Sequence, residues 1–249
     1  MEKATERGYT NSIMKRSLEA AGHCLVPLFV CFAVQLAFSA AVLVLFPAIG
    51  GEGAAAVRLT GAQDLILVFL LFRMFRRDAA TGERAADRSR CVGLTVYAVS
   101  IIGFLAVYLL LNFGVSVSGV AEGDARFQAV AAEMSAAALA EQLMVSAVAA
   151  PVAEELLFRG LLLRRLQKVV GIPGAVFLSS LAFGIFHGNL TQGLVAACLG
   201  LLLAFSYVKT EAFLLPVLMH ACTNAAVILL MYSAGGSLQD CTGCISVFQ

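Results

Sequence analysis

The chain has 249 residues, of which 60% are hydrophobic and only 13% charged, and its mean hydropathy is +0.90. Soluble domains carry about a quarter charged residues, so this composition excludes a water-soluble globular protein and predicts an all-α fold, a polytopic transmembrane helical bundle of about seven to eight spans. The net charge of +1 comes without any basic stripe interleaved with aromatics, so nucleic-acid binding has no support.

In chain order, residues 1–22 are polar and of mixed charge. Cys24 to Ile49 is an apolar run longer than the roughly 20 residues a bilayer requires, and reads as an uncleaved first span. Gly50 to Gly61 reads as a small-residue loop, and Ala62 to Phe75 as a shorter second span with Asp64 at its entrance. Arg76 to Arg90 is a charged loop that would set topology, and Cys91 to Val117 is a third span. Ser118 to Ala137 interleaves Glu122, Asp124, Arg126 and Glu133 with alanines, as an interfacial helix or a loop would. Ala138 to Leu163 is a fourth span, with Glu141 expected near its outer interface and solvated.

The second half is tighter. Gly171-Ile172-Pro173-Gly174 is a turn, with Pro173 suited to the first turn of a short helix over Ala175 to His187. A break at Gly188 to Thr191 precedes a run from Gly193 to Val208. Lys209-Thr210-Glu211 turns the chain into a last span, Ala212 to Ser233, and Gly235-Gly236 releases a polar tail. The organisation is residues 1–137 without assignable motif, 138–233 as a core that carries the chemistry, and 234–249 as the tail.

Seven spans with a cytoplasmic N-terminus place all the Lys and Arg residues except Arg58 and Arg126 toward the cytoplasm, as the positive-inside rule favours. The seven cysteines are an odd number and form no disulfide framework. Cys24, Cys31, Cys198 and Cys222 sit in apolar runs, where cysteine is usually a small buried hydrophobe. Cys241 and Cys244 make a C-x-x-C in the tail without the second ligand pair that a zinc site needs.

Chemistry concentrates in Pro151-Val152-Ala153-Glu154-Glu155-Leu156-Leu157-Phe158-Arg159-Gly160. Two adjacent acids inside an apolar helix each cost about 2.5–3.5 kcal/mol on insertion scales. Glu155 and Arg159 are spaced i,i+4 with the acid first, the favoured ion-pair order. Glu154 is turned about 100° away from Glu155 and is free to face a cavity. At 1.5 Å per residue, Glu154 lies about 14 Å from Leu163, and His220 about 14 Å from Glu211. His187, about 21 Å past Pro173, falls at similar depth. Phe183 and His187 share one helix face, as do His220 and Asn224. Pro216 is expected to kink the last span ahead of His220 by removing a hydrogen bond to the Ala212 carbonyl. The cavity is expected to be reached from the cytoplasmic half.

E-E-x-x-x-R, F-x-x-x-H and H-x-x-x-N on three successive helices resemble the CPBP intramembrane protease family. That family includes the Ras-converting CAAX prenyl endopeptidase, bacterial Abi-type proteins and lysostaphin-resistance-like proteins. The resemblance covers residues 138–233. It implies an integral protein of a bacterial plasma membrane that hydrolyses a peptide bond of a membrane-embedded or lipidated substrate, such as a prenylated tail or a leader peptide. By motif position, Glu154 would be the base that activates water, with His187 holding that water. His220 and Asn224 would stabilise the oxyanion, and Glu155, Arg159 and Phe183 would support them. The resemblance leaves a choice between a cofactor-free enzyme and a zinc enzyme with Glu154, His187 and His220 as ligands. Two other functional classes stay open on the residues alone: a catalytically idle membrane partner, and a proton-coupled transporter, since intramembrane Glu and His also mark proton relays.

Overall fold

The computed structural model describes residues 2–49, 53–80, 92–119 and 138–233. Among these residues the elements are all helical: α1 (Glu2–Ile49), α2 (Gly53–Ala80), α3 (Leu94–Ser118), a long bent rod α4 (Leu139–Phe186), α5 (Leu190–Thr210) and α6 (Leu214–Ser233). The rod breaks at Gly171, whose φ of 73° and ψ of 176° suit glycine alone. It divides α4 into α4a, residues 139–170, and α4b, residues 172–186. Pro173 then occupies the first turn of α4b, where its missing N–H is not needed.

Four helical segments are long and apolar enough to cross a membrane: Glu19–Ala41, Leu94–Ser118, Leu139–Phe186 and Leu190–Thr210. Leu214–Leu230 is a shorter apolar helix, and α2 carries Arg and Asp residues along much of its length. With α4 counted as two limbs, the described residues form seven helical limbs. The outside of the bundle is apolar, with Phe29 67%, Leu94 84% and Ile185 71% exposed. Exposed apolar surface on this scale suits lipid, not water, as expected of an integral membrane protein. Cys198 and Cys222 face outward on this surface, whereas Cys24 and Cys31 are buried as expected.

Two helices depart from the sequence expectation. The helix α2 begins at Gly53, so most of the expected Gly50–Gly61 loop is helical, and it continues through Arg76 and Arg77. The alanines after Gly53 are strong helix formers. Gly61 sits at a helix crossing, where an added Cβ would come within 2.6 Å of Val145. The expected kink at Pro216 is absent. The helix α6 starts at Leu214, so Pro216 lies in its first turn, and the Ala212 carbonyl accepts instead from Leu215 N at 3.1 Å. Residues 81–91, which hold most of the expected charged loop and the start of the third span, residues 120–137 and the tail with Cys241 and Cys244 lie outside the described residues.

Two apolar clusters hold the bundle. One joins α1, α2 and both limbs of α4 through Cys31, Leu71, Phe75, Phe158, Leu161 and Phe183. The other joins α3, α5 and α6 through Phe104, Tyr108, Leu199, Leu203, Leu215 and Met219. Between them runs α4a, and every residue from Leu156 to Leu163 is buried, so this part of the rod has no lipid face. That explains why a charged pair can persist there. Two stretches of α4a, Leu143–Ala149 and Leu156–Leu163, are wound as π-helix on either side of the α-helical turn Ala150–Glu155. Such π segments recur at functional sites.

The limb α4b and α5 pack antiparallel with their backbones nearly touching. A Cβ on Gly184 would lie 2.4 Å from the Gly193 carbonyl oxygen and 2.9 Å from Ala197 Cβ. Backbone cannot yield as a side chain can, so Gly184→Val is expected to cost about 1–3 kcal/mol or more. Thermal unfolding in detergent measures this. An unchanged midpoint would mean that the hairpin separates freely.

The basic end of the bundle is closed by one clamp. Arg165 donates to both carboxylate oxygens of Asp78, at 2.9 and 3.0 Å, and to the His23 carbonyl at 2.6 Å, tying α4a to α2 and α1. At the other end Arg58 pairs with Glu141 at 2.8 Å, so Glu141 is paired across helices as well as partly solvated.

Candidate active site

Pro151 sets the local winding of the site. The Ala150 N–H bonds to the Val145 carbonyl, and Pro151 has no N–H, so the Ser146 carbonyl loses both donors that the rod could offer. Asn224 of α6 supplies one: its Nδ2 donates to Ser146 O at 2.8 Å. A helix imperfection in α4a therefore aims the Asn224 side chain.

One turn further along, Glu155 is buried, and its Oε1 accepts from Arg159 Nη1 at 2.8 Å. Arg159 is fully buried too. Its Nη2 donates to the Gly200 carbonyl at 3.1 Å, and its guanidinium lies 4.5 Å from the Phe183 ring centroid. The expected i,i+4 pair is present. The structure adds a third partner that periodicity did not show: His220 donates from Nδ1 to the same Glu155 Oε1 at 3.1 Å. With Nδ1 so engaged, His220 turns Nε2 toward Glu154, 3.9 Å from Oε2.

His187, the residue that caps the C-terminal end of α4b, donates from Nδ1 to the Phe183 carbonyl at 2.8 Å. A carbonyl can only accept, so the proton sits on Nδ1, and neutral His187 presents a lone pair at Nε2. That Nε2 is buried without a hydrogen-bond partner, as is Glu154 Oε2. Phe183 packs edge-on against both histidines, with centroids 4.9 Å from His187 and 5.9 Å from His220. It orients the pair while it covers Arg159.

Glu154, His187, His220 and Asn224 line one cavity of about 420 Å³. The sequence-predicted set therefore converges. Glu155, Arg159 and Phe183 stand behind it. The cavity also draws in residues that sequence reasoning left out: Gln35 and Ser39 on α1, Thr60, Gln63 and Asp64 on α2, and Gln192 on α5. Asp64 was expected at the entrance of a span. It is instead buried along the cavity wall, in the second turn beyond Val57. A signal for these residues exists in their spacing, since Thr60, Gln63 and Asp64 fall at i, i+3 and i+4 on one face.

Access differs from the expected approach through the basic end. The lining climbs α4a from Glu154 through Ala150 to Ser146, and α2 from Asp64 to Thr60, toward the Arg58–Glu141 end. The other direction is filled by Phe75, Phe158, Leu161 and Leu162 and sealed by the Arg165 clamp. Exposed Phe32 and Leu36 of α1 border the opening.

The zinc alternative would take Glu154, His187 and His220 as ligands. Among the described residues no three His, Cys, Asp or Glu side chains are disposed to hold a metal ion. His220 has one ring nitrogen committed to Glu155 and the other at 3.9 Å from Glu154.

Comparison with known proteins gives two matches. Residues 136–226 match the family model of the Rce1-like type II CAAX prenyl endopeptidases. Over 170 residues, 67% of each chain, the sequence is 25% identical to YdiL of Bacillus subtilis (strain 168), a protein named as a proposed membrane peptidase. No solved structure matches the chain.

Proposed function

Because the chain belongs to the CPBP family of membrane proteases, we propose that it hydrolyses a peptide bond of a membrane-associated substrate by direct attack of a water held between Glu154 and His187. The observation that carries this reading is the pair of buried, unpartnered acceptors, Glu154 Oε2 and His187 Nε2, lining one cavity. A water donating to both would be oriented and polarised there. Glu154 takes one proton as the water oxygen attacks the scissile carbonyl, and returns it to the amine nitrogen as the C–N bond breaks. No covalent enzyme intermediate forms.

Asn224 keeps one N–H beyond the bond to Ser146 and offers it to the developing oxyanion. His220 contributes a second donor when Nε2 carries a proton. Its Nδ1–H on Glu155 is the carboxylate–imidazole arrangement that stabilises an imidazolium. The reaction proposed is metal-independent. We further place the N-terminus in the cytoplasm of a bacterial plasma membrane, on the clustering of basic residues at the Arg165 end and the bacterial relative.

The test is cleavage of membrane peptides by purified protein, with and without exhaustive chelation. Cleavage is expected to survive chelation. Loss restored by added zinc would replace this mechanism with a metal-dependent one. His187→Ala is expected to lower kcat about 10²-fold with little change in the unfolding midpoint, since it removes one of two groups that hold the water. Undiminished cleavage would take His187 out of the reaction.

A further inference from the structure

The charge on the cavity wall is one-sided. Glu155 is matched by Arg159, but Glu154 and Asp64 line the cavity with no Lys or Arg among the described lining residues. Asp64 is 7% exposed and makes no salt bridge with a described residue, and its Oδ2 is buried without a hydrogen-bond partner. A carboxylate in a span is costly unless something completes it. The buried arginines have such partners: Arg159 has Glu155 and the Gly200 carbonyl, and Arg165 has Asp78. Asp64 and Glu154 thus line the space where a substrate would lie, each with one carboxylate oxygen that no described group meets.

We propose that Asp64 is a specificity residue, and that the site takes peptides presenting a cationic group, a Lys or Arg side chain or a free amino terminus, near the scissile bond. This rests on the protease reading and narrows it to a substrate class. A peptide whose scissile bond lies a few residues from a free C-terminal carboxylate is disfavoured. Two acids line the wall that such a carboxylate would meet, and no described Lys or Arg of the wall receives it. The amides of Gln35 and Gln63 on the same wall suit the backbone of an extended segment, and a cavity of about 420 Å³ accommodates a short one.

The measurement is binding, read apart from cleavage. Labelled single-span peptides of one apolar sequence, carrying Lys, norleucine or Glu beside the central bond, are titrated against full-length protein in nanodiscs by fluorescence anisotropy. A farnesylated peptide ending in a free carboxylate serves as a fourth probe. Wild type is expected to bind the Lys peptide about tenfold to a hundredfold tighter than the norleucine peptide, as a charge-assisted hydrogen bond to Asp64 would give. It is expected to bind the Glu and carboxylate-terminated peptides weakest. Asp64→Asn should bring the Lys-to-norleucine ratio close to one, and Asp64→Glu should retain most of it. An equal affinity of wild type for Lys and norleucine peptides, or a ratio unmoved by Asp64→Asn, overturns the proposal. Because the first comparison needs wild type alone, a variant that fails to fold does not spare it. Cleavage of the same peptides without charge preference would leave the protease standing and remove the role of Asp64. A Lys preference in binding with no cleavage of any peptide would do the reverse.

Discussion

Glu154→Gln is expected to abolish peptide cleavage, by about 10²–10⁴-fold at the least, while the protein stays folded. The substitution keeps the shape of the side chain and removes only its capacity to take a proton. Glu154 makes no hydrogen bond through Oε2, and the Arg159 Nη1 bond goes to Glu155. The ion pair, the Glu155–His220 bond and the Asn224–Ser146 bond all survive the change. A kcat/KM within tenfold of wild type, in protein with an unchanged unfolding midpoint, would place the base elsewhere. The same variant separates the protease from an idle membrane partner, because a purely structural cluster loses nothing when Glu154 becomes its amide.

The second large effect is on stability. Arg159→Met leaves Glu155 in the middle of the rod as a buried acid with only His220 to meet it. Breaking a buried pair from one side costs about 3–5 kcal/mol, whereas replacing both members together is often close to neutral. The double variant Arg159→Met/Glu155→Gln is therefore expected to recover most of the stability that the single variant loses. It should not recover cleavage. His220 would no longer have the carboxylate that holds its Nδ1–H, and Phe183 would lose the guanidinium stacked at 4.5 Å. Denaturant unfolding in detergent, paired with the cleavage assay, reads both. A double variant as unstable as the single one would show that Arg159 acts through its bond to the Gly200 carbonyl and not through Glu155.

These two carboxylates are neighbours in sequence, and their opposite treatment shows how helix phase distributes work. The step of about 100° between adjacent residues turns Glu155 into the apolar packing between α4a, α4b and α5, where Arg159 meets it and in turn donates to the Gly200 carbonyl. It turns Glu154 onto the face that carries Ala150 and Ser146, along the cavity. The division was legible from spacing alone. Pro216 was misjudged for a related reason: a proline kinks a helix only if the helix has already begun, and α6 begins at Leu214.

Composition and periodicity by themselves determined that this is a helical membrane protein, that Glu155 pairs with Arg159, and that Glu154, His187, His220 and Asn224 are the residues to watch. Each of those inferences needs only one helix and its apolar surroundings at a time. The tertiary structure decided what those residues touch. It joined His220 to Glu155 across 65 residues of chain, gave Asn224 the carbonyl that Pro151 leaves open, brought Asp64 of α2 to the wall facing Glu154, and opened the cavity toward the Arg58–Glu141 end. Such contacts depend on how far each helix is rotated and where two helices cross. Those quantities come from the packing of whole faces, at glycines such as Gly61 and Gly184, and no local spacing along one helix records them.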